Sequence, residues 1–137
     1  MKSYKQFILE YNEINQEHDH GSLEGYVVDT NKDQLDNYLS SNGVSKKVID
    51  ELKSRVKRIA IIKNMEVDDD KRGQKIGTEL LDNAIDDAYE NHAQAIILIA
   101  DKSEDNKFDL EKWYQRYGFE KIATTSNNDS LMLLHEE

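Results

Sequence analysis

The chain contains no cysteine and no proline, and only six glycines and one tryptophan among 137 residues. Without cysteine there are no disulfides and no thiol nucleophile, and a zinc site would be left with histidine and carboxylate ligands. Without proline, no segment is stiffened or broken by that residue. No run approaches the ~20 apolar residues that cross a bilayer as a helix. Residues 1–16 lack the unbroken apolar core and small-residue cleavage site of a secretory signal, so the sequence leads us to expect a cytoplasmic protein with no membrane partner. Cations are scarce as well: 18 Lys and Arg face 28 Asp and Glu, giving a net charge of −10. Such a field repels nucleic acid and attracts amine-bearing, cationic molecules.

What remains is one globular domain's worth of chain, 37% hydrophobic and 34% charged, enough for a single modest core. Tyr4, Phe7, Ile8 and Tyr11 recur at helical spacing, so residues 1–12 read as an amphipathic N-terminal segment. The polar stretch 13–22 reads as a linker, and 23–137 as a single domain. His18, Asp19 and His20 lie in that linker; they read as solvated residues, and no metal is expected. Within the domain, 23–30 reads as a strand. Two helices follow, separated by Gly43, with Ser45 as N-cap of the second. Residues 58–67, "RIAIIKNMEV", are apolar enough for a strand buried on both faces. A helix from about 77 to 91 carries the stripe Leu80, Leu81, Ala84, Ile85 and Ala88. A second apolar strand (94–101), a helix (108–118) with Gly118 just past its end, and a closing hairpin around "SNND" complete the order. The pattern from residue 58 onward implies a mixed α/β sheet with parallel pairing across the first crossover.

The stretch "VDDDKRGQKIGTELL" joins the first apolar strand to its helix. A strand that runs through a glycine turn into a helix presents free backbone N–H groups and the positive end of the helix dipole, which together bind anions. Gly73 and Gly77 allow close approach, and Arg72 and Lys75 reverse the local sign of charge. The turn has neither the Gly-Lys-Ser/Thr ending of a P-loop nor the three-glycine spacing of a dinucleotide fingerprint. On these residues alone it is either a plain connector or a phosphate cradle.

"NMEVDDDKRGQKIGTELL", then "AIILIAD", then "WYQRYGFEKI" resembles the GCN5-related N-acetyltransferase (GNAT) family over residues 58 to about 134. The resemblance implies a mixed, mostly antiparallel sheet with flanking helices, trimmed in its N-terminal half, where one strand and two helices but no hairpin can be found. It implies acetyl-CoA as co-substrate. Its pyrophosphate would lie on Arg72, Gly73, Gln74, Lys75, Ile76, Gly77 and Thr78, with the pantetheine arm and thioester on backbone groups of Met65 and Val67, beside a strand that splays from its neighbour. Tyr114, shortly before Gly118-Phe119, would protonate the departing thiolate, and Glu66 is the candidate base by position. Trp113 and Phe119 are assigned to packing. The chain departs from the family where Lys75 replaces the middle glycine of the turn, and where Lys107 stands at the place of a common asparagine, with Asn106 one position off.

Residues 1–10, "MKSYKQFILE", are similar to the capsid-targeting peptides on internal head proteins of large tailed phages, with Ile8-Leu9-Glu10 as the cleavage site. Two readings follow. One is an N-acetyltransferase acting on a primary amine of a small molecule or protein, by direct attack. The other is a non-catalytic binding protein of the same fold, packaged in a virion and delivered to host cytoplasm, with a host or capsid protein as partner.

Overall fold

A computed structural model describes residues 11–68, 75–101 and 110–135. Seven strands form one sheet: β1 (Tyr11–Glu13), β2 (Gln16–His18), β3 (Gly21–Asp29), β4 (Arg58–Val67), β5 (Ala95–Ala100), β6 (Glu120–Thr124) and β7 (Ser130–His135). The spatial order is β1-β3-β4-β5-β7-β6, with β2 also paired to β3. Only β4 and β5 run parallel among the described strands, as their connecting helix requires. Among the described residues, four helices flank the sheet: α1 (Asp33–Ser41), α2 (Lys46–Arg55), α3 (Ile76–Glu90) and α4 (Leu110–Gln115).

Two apolar clusters lie on opposite faces. Alternate residues of β4 divide between them: Ala60 and Ile62 meet Leu80, Leu81 and Ala84 of α3, while Ile59 and Ile61 meet Leu35 and Leu39 of α1 and Ile49 and Leu52 of α2. This is why β4 is apolar without alternation. Ser45 caps α2 as expected, its hydroxyl accepting from the Val48 N–H. Gly118 ends α4 at φ +100, where a residue with a Cβ is strained. The β6–β7 hairpin also forms where the sequence placed it.

The N-terminal region differs from expectation. The linker expected over 13–22 is instead ordered sheet. β1 and β2 share one register on β3, Glu13 opposite Tyr26 and Gln16 opposite Leu23, so together they form one strand of a hairpin closed by Asp19 and His20. Ile14, between them, is 1% exposed, and its N–H donates to the Gly25 carbonyl. This hairpin was invisible in the sequence because an edge strand needs only one buried apolar residue here and is otherwise polar. His18 and His20 sit at its tip, within 4.0 Å of Glu79 and 3.5 Å of Asp68 respectively. Of the amphipathic segment, Tyr11 and Asn12 belong to β1, and residues 1–10 lie outside the described residues.

Candidate active site

The site begins at a bulge. On β3, Gly25 pairs with Ile62 and Glu24 with Asn64, so Lys63 is an extra residue in β4. A Cβ on Gly25 would stand 2.6 Å from the Ile61 carbonyl oxygen, so the close strand approach here requires glycine. On the other side of β4, pairing with β5 ends at Ile62 and Leu98, although β4 continues to Val67 and β5 to Ala100. The two parallel strands therefore part, and the backbone groups of β4 that face β5 beyond Ile62 have no strand partner among the described residues.

A cavity of about 780 Å³ fills the gap. Ile62, Asn64 and Met65 of β4 and Leu98 and Ile99 of β5 form its strand walls. Tyr38 and other residues of α1 close it on one face of the sheet, and Leu110 and Tyr114 of α4 on the other. The Tyr38 hydroxyl donates to the Ile62 carbonyl at 3.5 Å, at the point where the strands separate.

Tyr114 is 6% exposed, and burial pushes its phenol up to about 12. Tyr38 shifts the same way, first by burial and then by its neighbours Tyr26 and Tyr114. Both rings are thus neutral hydroxyl donors at physiological pH. Tyr114 is held by edge-to-face contacts with Trp113 and Phe119 at 5.1 and 5.7 Å. Its helix is tied to β7 by the buried Ser130, whose hydroxyl donates to Glu111 at 2.7 Å.

The start of α3 lies next along β4. Val67 packs toward Gly77, and a Cβ on Gly77 would come within 3.4 Å of the Trp113 indole. A side chain there would thus make ordinary contact with the indole; among the described residues of the turn, Lys75 takes the left-handed conformation, at φ 66. Lys75 makes no side-chain cap, and the Glu79 N–H is bonded back to the Lys75 carbonyl. The amides of Ile76, Gly77 and Thr78 are the first-turn donors that an α-helix leaves unpaired. Burial raises the Tyr117 phenol, and its hydrogen bond with Thr78 offsets only part of that rise.

Of the residues read from sequence, Met65 and Tyr114 line the cavity, and Val67, Gly77 and Thr78 gather at the mouth of α3 with Lys75 and Ile76. Arg72, Gly73, Gln74, Asn106 and Lys107 lie outside the described residues. Glu66 is exposed, accepts from Asn64 Nδ2 at 3.2 Å, and is not among the lining residues. Gly25 was missed as a site-forming residue, although an isolated glycine inside a strand pattern is itself a bulge signal. Tyr38 gave no signal, because its helical spacing matched core packing.

A sequence profile for the acetyltransferase (GNAT) domain matches residues 19–121. The chain belongs to the GNAT family. No curated protein matches it significantly. Solved structures share the fold at low identity. An acetyltransferase from Bacillus cereus is 13% identical, with 97% of this chain and 84% of that one covered, at a TM-score of 0.61. A polyamine N-acetyltransferase from Drosophila melanogaster, which forms N-acetylagmatine, is 11% identical, with 88% and 72% covered, at 0.58. A chain of the NatC complex bound to Gag peptide and CoA is 16% identical at 0.55; 85% of this chain is covered, and it spans only 61% of that one. The mixed, mostly antiparallel sheet with its flanking helices is thus that of a GNAT chain.

Proposed function

We propose that this GNAT chain is an acetyl-CoA-dependent N-acetyltransferase that moves the acetyl group to a primary amine by direct attack. The observation that carries the reading is the placement of these groups along β4. Val67 lies against Gly77 in the first turn of α3, and two residues before it Met65 lines the cavity between β4 and β5 together with the buried Tyr114. The residues present fit acetyl-CoA: first-turn amides and Lys75 for pyrophosphate, unpaired β4 backbone for the pantetheine arm. The co-substrate supplies an acyl thioester.

In the reaction, the neutral amine forms a bond to the acetyl carbon and the carbon–sulfur bond breaks. The sulfur takes the Tyr114 phenolic proton, the nitrogen releases its own to water at the open side of the cleft, and a proton from water restores the phenol. β4 backbone N–H groups facing the gap stabilise the developing oxyanion. Tyr114 is protonated at neutral pH, and because burial makes its phenol a weaker acid, it gives up its proton only once negative charge has developed on sulfur. The base role expected of Glu66 is left unassigned, since its carboxylate lies off the cavity wall.

The second reading, a binding protein of the same fold, is favoured by Lys75. A lysine in the left-handed conformation costs backbone energy where glycine would not, and its side chain stands at the phosphate turn. A virion origin rests on residues 1–10 and would show as loss of those residues from the mature protein by mass spectrometry.

Calorimetric titration with acetyl-CoA tests the choice. Gly77→Glu is a poor control, because a Cβ at this position already touches Trp113 and Val67, so packing would change along with charge. Lys75 is exposed, so Lys75→Glu reverses the charge without touching the core. We expect micromolar binding by the natural chain, weakened about tenfold in Lys75→Glu by loss of a cation at the phosphates. No binding by the natural chain would leave the binding-protein reading.

A further inference from the structure

The side of the cavity away from α3 has a chemistry of its own. Leu35 and Leu39 turn one face of α1 into the core, and Gln34, Asn37, Ser41 and Asn42 place the adjoining face on the cavity wall. The Gln34 and Asn37 amides make no hydrogen bond to any described residue. Nearby, Asn42 Nδ2 and Ser41 Oγ are already donating to the Tyr38 carbonyl. Two amide groups, each offering a donor and an acceptor, thus face the cleft one helical turn apart, at a Cβ spacing of roughly 5–6 Å.

Among the described residues that line this wall, the carboxylates are Asp101 and Asp129 and the cation is Lys63, although the chain as a whole carries −10. A di- or polycationic acceptor would be better matched by a concentration of carboxylates, and among the described residues the denser ones lie elsewhere. Exposed Glu79, Asp82, Asp86 and Glu90, for example, are on the outer side of α3. Paired side-chain amides match a ligand that itself carries N–H and C=O groups side by side. The repeat of like-facing groups in an extended peptide, about 6–7 Å, is close to the spacing of the two amides. The stripe from Gln34 to Ser41 rises about 10 Å, the length of three extended residues. Asn37, Ser41, Lys63 and Asn64 are exposed, so the wall opens to solvent and a chain can continue past it.

We infer that the acceptor is a peptide, held along α1 through hydrogen bonds from Gln34 and Asn37 to its backbone so that a terminal or lysine amine reaches the β4–β5 gap. This rests on the acetyltransferase reading and narrows its acceptor, against the alternative of a small polyamine.

The test is transfer from acetyl-CoA, followed by release of free thiol, to an equimolar mixture of unblocked pentapeptides, beside agmatine and spermidine as separate probes. It is run with the natural chain and with the pair Gln34→Ala/Asn37→Ala, and acetyl-CoA binding of both is measured calorimetrically. Alanine is the better helix former at both positions, so loss of fold is not expected, and circular dichroism checks it. We expect kcat/KM for the peptides to exceed that for either polyamine by at least about tenfold. The paired variant should raise the peptide KM about tenfold, as the loss of one to two neutral hydrogen bonds implies, with acetyl-CoA affinity unchanged. Preference for a polyamine overturns the inference, and so does a peptide KM that does not move. Acetyl-CoA binding without transfer to any peptide also overturns it while leaving the cofactor site standing. Failure to bind acetyl-CoA overturns the parent reading itself.

Discussion

In the proposed reaction Tyr114 and Lys75 are the two residues on which the chemistry turns, for opposite reasons. Tyr114 is buried and lines the cavity between two strands. Tyr114→Phe keeps the ring and its packing and removes only the proton, so kcat should fall by about 10²-fold or more with little change in acetyl-CoA affinity. A group that acts in its protonated form loses activity as pH rises through its value. Because burial pushes Tyr114 up to about 12, the rate should show no decline from this residue between pH 8 and 10. A basic limb in that range that vanishes in Tyr114→Phe would keep the role but overturn the upward shift, whereas an undiminished kcat in Tyr114→Phe would refute the assignment. Lys75 holds φ 66 at the entry to α3, a conformation that glycine adopts without cost. Lys75→Gly should therefore raise stability by about 0.5–1 kcal/mol, read as a higher urea midpoint at unchanged slope.

At the scale of elements, the bulge in β4 comes first, because without it the strand would stay paired with β5 and there would be no gap. Gly25→Ala drives a methyl group against the Ile61 carbonyl and Ile14. Overpacking of this kind costs about 1–3 kcal/mol, and here it should also weaken acetyl-CoA binding by calorimetry; a stable variant with full affinity would contradict the role given to Gly25. The central elements were legible in the sequence because period and composition agreed. The α3 stripe of Leu80, Leu81, Ala84 and Ala88 is buried as read, and Ile59 to Ile62 belong to a strand covered on both faces. The β1–β2 half of the hairpin was not legible, since Ile14 alone marks its inner side. The cavity-facing stripe of α1 was hidden for a different reason. Gln34, Asn37 and Ser41 have the composition of any solvated helix face, and only the parting of β4 and β5 turns that face into a wall. The part of the phosphate turn named from the family resemblance, Arg72 to Gln74, lies outside the described residues.

For the whole molecule, the raised phenols set a limit on stability in base. Tyr114 titrates near 10 when unfolded and near 12 in the fold, so its contribution is complete below pH 10 and is lost as pH climbs toward 12. The slope is about 1.4 kcal/mol per pH unit for each such group, and Tyr38 shifts in the same direction. The urea midpoint should be level from pH 8 to 10 and fall steeply above it, with a shallower fall in Tyr114→Phe.

The chain's single tryptophan has its indole against the backbone of Gly77, edge-on to Tyr114 and Tyr117. It touches both the first turn of α3, proposed to hold the pyrophosphate, and Tyr114, proposed to meet the sulfur. Its intrinsic fluorescence is therefore a built-in optical gauge of this site, with no second indole to contribute background. Occupancy of the turn, and any shift of α4 that accompanies it, can be followed in real time in the unlabelled protein.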